Sequence, residues 1–444
     1  MRFAEFAINP WYFFPQVLFF WTAAILTAAD SSPAPVASTV SRITLDALVA
    51  DVLKNNPELE FYRAEITAAR AGRKTAAQWE NPEVSVEVGG KRVWERNGPS
   101  LGDGVAWSVS VAQPFEFPGR LAIRKAIANR QIDLAKLGLE QFEAALGMRA
   151  RLLGGAVVAA QEREAAAREV SQRFQSLIEV LVQRDPAGVT PLLDQRIIEA
   201  GTIILLRRAS QATREAQAAL MELNALRGRP PETPLTLTGS LPSVSVLPTV
   251  TALNDVARTN NFEVRLRQVE LVQQGFRVRL AKNERYPRVS LGPFYSQEEA
   301  SDEERIVGVG LSMPLPLWNR NSGNIEASEA RLQQADALLR LTWRQVERQI
   351  AEHALALRTQ IDEMSRWRAD AAQQFREAAE LADRHYRLGA VPVTTYVEMQ
   401  VRYLDALDTL LATRAEALEH RQQLELLVGM PLENIPATYA APSH

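Results

Sequence analysis

VAQPFEFPGR at Val111–Arg120 and LSMPLPLWNR at Leu311–Arg320 decide how this chain is read. Each closes a run in which apolar side chains alternate with small ones. Each sets a Pro ahead of an apolar–X–apolar step, and each finishes on Arg. Upstream of the first, Val105, Trp107, Val109 and Val111 share one face, with Ala106, Ser108 and Ser110 behind them. Upstream of the second, Val307, Val309, Leu311 and Met313 share a face, backed by Gly308, Gly310 and Ser312. Period-two alternation of this kind marks strands, and Pro ends strand pairing because it has no N–H. A shorter alternating run precedes each: Val84, Val86 and Val88, then Val289 and Leu291. The polar stretches GGKRVWERNGPSLGDG and SQEEASDEE are expected as the connecting loops, so each half carries a hairpin.

The doubling extends outward from these stretches. Asn55, Asn56 and Glu58 fall on Asn260, Asn261 and Glu263 at an offset of 205, as do Pro82, Val84 and Ser85 on Pro287, Val289 and Ser290. Pro114 and Arg120 fall on Pro314 and Arg320 at an offset of 200, and Gly228 falls on Gly429 at 201. Each unit has the same grammar. A helical stretch comes first, about Thr44–Trp79 and about Thr249–Arg285, stopped by Pro82 or Pro287. The hairpin follows. A very long helical stretch without internal Pro is then expected, about Leu121–Gln183 and about Asn324–Arg387, spanning roughly 95 Å. Gly154-Gly155 is the expected place for a bend in the first. A turn, DPAGVTP with Gly188 or LGAVPVT with Gly389, leads into a third helix returning to Gly228 or Gly429.

The pattern divides the chain into a signal peptide, 1–29, and a linker, 30–42. The first repeat is 43–230 with its hairpin at 82–115, and a linker or collar takes 231–248. The second repeat is 249–431 with its hairpin at 287–315, and 432–444 is a tail. The signal reading rests on Arg2, the apolar run Val17–Leu26 and the small residues Thr27-Ala28-Ala29. No later segment is long and apolar enough for a membrane-spanning helix.

Composition removes several functions. The 50 Lys+Arg against 53 Asp+Glu leave a formal charge of −3, with no basic excess for nucleic acid. Absence of Cys removes disulfides, thiolate metal sites and a Cys nucleophile. His353, His385 and His420 show no metal-ligand spacing and read as surface or packing residues. There is no phosphate loop and no GxSxG elbow. No enzyme, cofactor or resident metal is expected.

Four strands cannot close a barrel alone, since small closed barrels need about eight. One-sided apolar strands with small residues behind fit a wall between lipid and lumen. Trp94, Phe115, Phe117 and Trp318 lie near strand ends, where an interfacial belt would sit. Alternation by itself also fits a soluble sandwich, and long helices alone fit an exported rod. The signal-like start, the duplication and helices too long for a compact domain together favour a barrel pooled from several protomers.

The ordered set of features resembles the outer-membrane efflux proteins of the TolC type across about residues 43–435. It is carried by NNPELEFYRAEITAAR, the pair QPFEFPGR and MPLPLWNR, the tip glycine with Val, and the twofold repeat. The form at Gln113–Arg120 is most similar to the heavy-metal, CzcC-like branch. The resemblance implies a mainly α fold with a small β part. In it, a homotrimer pools four strands per chain into a twelve-stranded outer-membrane barrel above a helical tunnel through the periplasm. It implies a passive exit duct for divalent metal cations, with organic toxicants or secreted polypeptides as the alternative cargo. A periplasmic adaptor and an inner-membrane pump of the resistance-nodulation-division type would complete the system. It places the barrel-to-tunnel transition at Pro114, Gly119, Arg120, Pro314, Asn319 and Arg320, with Gly119 and Asn319 turning the chain. Gly188 and Gly389 become tip turns. The periplasmic gate falls on Glu398, with Thr395 at the second acidic position and Asp194 near the equivalent place in the first repeat. A helix-face charge is the simpler account of Glu398.

Overall fold

The computed structural model describes residues 41–94, 96, 98–184, 189–238, 247–300, 302–368 and 370–435. The signal-like segment, Gly188 and most of the tail lie outside them. The fold is mainly helical with a small sheet.

The first repeat begins with β1 (Ser41–Ile43), α1 (Leu45–Asn55) and α2 (Glu58–Ala76). The second begins with α5 (Val250–Asn260) and α6 (Phe262–Asn283). Thr44 caps α1 by accepting from the Ala47 N–H at 3.3 Å, and Thr249 caps α5 from Ala252 at 3.3 Å. The single helices expected at Thr44–Trp79 and Thr249–Arg285 are thus each two. The second Asn of each Asn-Asn pair makes the break. Asn56 donates Nδ2 to the Leu226 carbonyl at 2.9 Å and accepts from the Glu58 N–H at 2.9 Å. Asn261 does the same with Leu427 at 2.6 Å and Val264 at 2.9 Å.

Those carbonyls end the returning helices α4 (Val189–Leu226) and α9 (Val393–Val428). Gly228 and Gly429 follow them with φ of 63° and 79°. One core forms where Leu48, Val52, Leu146 and Leu223 pack with Leu235 and Leu237 of β4 (Leu235–Leu237), which pairs in parallel with β1. Its counterpart gathers Leu253, Ala257, Val346, Ile350, Leu424 and Val428.

The hairpins are β2 (Glu83–Trp94) with β3 (Ser100–Phe115), and β5 (Val289–Glu299) with β6 (Glu303–Ser312). Pairing runs well into the stretches read as loops, because polar side chains stay solvated while the ladder satisfies the backbone. The hairpins join through antiparallel β3–β5 pairing into one sheet, in the order β2-β3-β5-β6. The register corrects the sequence alignment. Ser85 pairs with Ser110, and its counterpart Ser290 pairs with Ser312. β3 therefore maps onto β6 at an offset of 202, and Pro114 answers to Pro316 instead of Pro314.

α3 (Arg120–Arg184) is one continuous helix of 65 residues, about 98 Å long. It runs unbroken through Gly154, where an added Cβ would lie 2.5 Å from Leu45 Cδ1; the glycine makes room for α1. The second long helix is broken. α7 (Ser322–Ser365) stops and α8 (Ala371–Arg387) restarts. The stop needs no Pro. The N–H groups of Arg366 and Trp367 turn to the carbonyls three residues back, both at 3.1 Å, and Asp370 accepts the Gln374 N–H at 2.9 Å to begin the next helix.

Candidate functional site

Three features stand out as candidate sites: the sheet, the sheet-to-helix junction, and the far turn of the helices.

One sheet face carries Val84, Val86 and Val88 with Val105, Val109 and Val111, then Tyr295, Val307, Val309 and Leu311. Val88, Val307, Val309 and Leu311 are each at least 70% exposed. An exposed apolar patch of this extent marks a surface meant to be covered. The opposite face is small and polar, with Ser85, Ser110 and Gly308 in one cross-strand row around Phe294. β2 and β6 each have one strand neighbour among the described residues. Aromatic rings collect where the strands meet the helices. Phe117 stacks on Tyr286 at 4.1 Å, Trp79 meets Phe115 edge-on at 6.1 Å, and Trp318 is 93% exposed. Trp94 lies at the other end, with Arg92 over its ring.

At the junction, Gly119 takes φ 86° and Arg120 opens α3. The buried Arg120 guanidinium clips this turn to the other repeat. It donates to Asn283 Oδ1 at 2.9 Å, to the Asn283 carbonyl at 3.0 Å and to the Tyr286 carbonyl at 2.8 Å. Removing it as Arg120→Ala is expected to cost about 1–2 kcal/mol, read as a lower thermal midpoint, with Arg120→Lys restoring only part. In the second repeat the left-handed residue is Asn321, φ 60°, and not Asn319. Asn319 instead accepts the Asn321 N–H at 3.0 Å, and Asn321 donates to the Ala281 carbonyl at 2.8 Å. Arg320 is exposed and forms no hydrogen bond or ion pair among the described residues. The two arginines that end the matching stretches therefore do different things.

At the far turn, Gly389 takes φ 74°. Its N–H reaches the Tyr386 carbonyl at 2.9 Å, and the Ala390 N–H reaches His385 at 2.9 Å, closing α8 in a Schellman turn. Gly188 lies outside the described residues. Beside the turn, an aromatic node joins four helices. Tyr396 of α9 is fully buried, 5.2 Å from the Phe174 ring of α3 and 5.3 Å from the Tyr386 ring of α8. The Tyr386 hydroxyl donates to Asp194 Oδ2 of α4 at 3.2 Å. Burial, with the Asp383 carboxylate, pushes the Tyr396 hydroxyl far above the ordinary phenol range, so it stays neutral. Of the expected gate residues, only Asp194 joins this node. Glu398 is exposed and 3.6 Å from Arg402 one turn along α9, and Thr395 is exposed beside it. Sequence reading missed Tyr386 and Tyr396, although they straddle the tip glycine.

A sequence profile described as "Outer membrane efflux protein" matches residues 48–229 and 253–430, one match per repeat. The chain belongs to the outer membrane efflux protein family. The cobalt-zinc-cadmium resistance protein CzcC of Cupriavidus metallidurans is 24% identical over 301 residues, 66% of this chain and 67% of that protein. A membrane protein from Pseudomonas aeruginosa has a similar fold, with TM-score 0.71 and 20% identity over 93% of this chain and 99% of its own. CusC, solved in a study of folding and transmembrane channel formation, matches with TM-score 0.66 and 15% identity over 90% and 95% of the two chains. This efflux protein has, among its described residues, no helix long and apolar enough to cross a membrane.

Proposed function

We propose that this chain is the outer-membrane exit duct of a tripartite efflux system. The observation that carries the reading is the sheet: apolar on one face, small and polar on the other, open at both edges among the described residues, and continuous with a 65-residue helix. Unpaired edges are untenable in lipid. Pairing β6 of one copy with β2 of the next removes them, and three copies of four strands close a twelve-stranded barrel with the valine face toward lipid. The helices then continue the lumen into the periplasm as a tunnel. Residues 1–29 serve as the signal peptide.

The far turn is the docking end for a periplasmic adaptor and a proton-driven inner-membrane pump. The Tyr386–Asp194 bond holds the tip closed, with Glu398 and Thr395 at the constriction. A ring of carboxylates favours cations. The similarity to CzcC supports divalent metal ions as cargo.

Negative-stain imaging of the detergent-purified protein tests the duct. Hollow threefold particles well over about 100 Å long are expected from the helix length; compact monomers or solid rods would sink the reading. In planar bilayers, Tyr386→Phe is expected to raise the open fraction of single channels, and an unchanged fraction would remove Tyr386 from the gate. Complementation of a metal-sensitive strain tests the cargo. Restored tolerance to organic toxicants alone would reassign it.

A further inference from the structure

We propose that His353 and His420 form a two-imidazole site for a divalent transition-metal ion of zinc-like chemistry, clamping α7 to α9. The two residues are 67 positions apart, yet their Nδ1 atoms lie 3.0 Å apart, with ring centroids at 5.2 Å and planes at 48°. In the metal-free chain one Nδ1 must carry the proton that the other accepts. A metal ion can replace that proton. Zinc–imidazole bonds are about 2.0–2.1 Å long, and two of them spanning this gap enclose an angle near 95°. Seating the ion requires each imidazole to turn so that its Nδ1 lone pair faces the ion instead of the other nitrogen.

The surroundings suit a cation. Ala354, Leu357, Ala417 and Leu424, next to the pair on both helices, are buried and hold the backbones in place. Both residues are partly buried and neither is sealed in the core, which leaves room for water at the ion's other positions. His353 is partly buried beside His420. Glu352 and Glu419 act on it with negative charge. Among the described residues no group of three or more His, Cys, Asp or Glu side chains is placed to hold a metal ion. The site is therefore exchangeable, unlike a closed structural zinc site. It does not depend on the duct reading, because the pair lies within one chain.

The experiment is isothermal titration of zinc chloride into the untagged, chelator-stripped full chain in detergent. One ion per chain is expected, with micromolar affinity. His353→Gln and His420→Gln should each weaken binding by at least about tenfold and abolish the zinc-dependent rise in thermal midpoint. His385→Gln should change neither. Circular dichroism would verify that the variants fold, and glutamine keeps a polar side chain at both partly buried positions. Cobalt(II) supplies a second readout, as a d–d absorption band lost in both variants. No binding to the unmodified chain, or binding that survives both substitutions, would overturn the site.

Discussion

Tyr396→Ala is expected to destabilise the far turn by about 3–5 kcal/mol, the range for deleting a buried aromatic side chain. The ring is fully buried and touches Phe174 from α3 and Tyr386 from α8, so its loss leaves a cavity where three helices meet. Tyr396→Phe keeps the ring contacts and should retain most of the stability. Hydrogen exchange is the sensitive measurement, because the damage should be local. Amides of α8 and the first turns of α9 should lose protection. Those around Leu253, Ile350 and Leu424, in a separate core, should not. Uniform loss across both regions would show that the node is coupled to the whole chain, contrary to its placement in a distinct cluster.

Gly429→Ala is the second large effect. The residue sits at φ 79°, where an L side chain is strained, and an added Cβ would lie 2.3 Å from the Asn260 carbonyl oxygen. That oxygen belongs to the α5–α6 break that Asn261 pins to α9, so relief requires moving the junction. We expect a loss of about 2–4 kcal/mol. Gly228→Ala repeats the test in the first repeat with a milder contact, 2.9 Å to the Asn55 carbonyl oxygen, and should cost less. Gly275→Ala is the control. It lies inside α6 with nothing within 4 Å of its Cβ position, and should stabilise by about 0.5–1 kcal/mol. Thermal unfolding of the three variants should rank them in that order, and an equal effect at Gly228 and Gly429 would refute the steric account.

Much of this architecture was legible because it rests on periodicity. The valine alternation specified which strand faces would match, and the register places Val84 opposite Val111 and Val86 opposite Val109. The tip glycine at 389 and the terminal glycines at 228 and 429 announced turns that the backbone then adopts. What was hidden depends on long-range partners. The break after Ser365 has no Pro or Gly to signal it. Asn56 and Asn261 break their helices by reaching carbonyls about 170 residues away. The paired motifs suggested Pro114 with Pro314, whereas the offset of 202 between β3 and β6, carried past the strand end, sets Pro114 against Pro316. His353 and His420 meet only because α7 and α9 run side by side, a relation that no local spacing encodes. Of the acidic candidates read from the sequence, Asp194 accepts a hydrogen bond from Tyr386, a partner that no local spacing announces, while Glu398 stays exposed.

The sheet also sets a timetable for biogenesis. Its central ladder pairs Ala106 with Glu298, so the inner neighbour of β3 emerges nearly two hundred residues after β3 itself. Throughout that interval the first hairpin waits in water with both edges open and its valines exposed. Contacts of such sequence separation form slowly because a long loop must close first, and unpaired strands invite aggregation meanwhile. A nascent chain that has not yet reached β5 therefore holds a hairpin whose β3 edge has no partner within the chain.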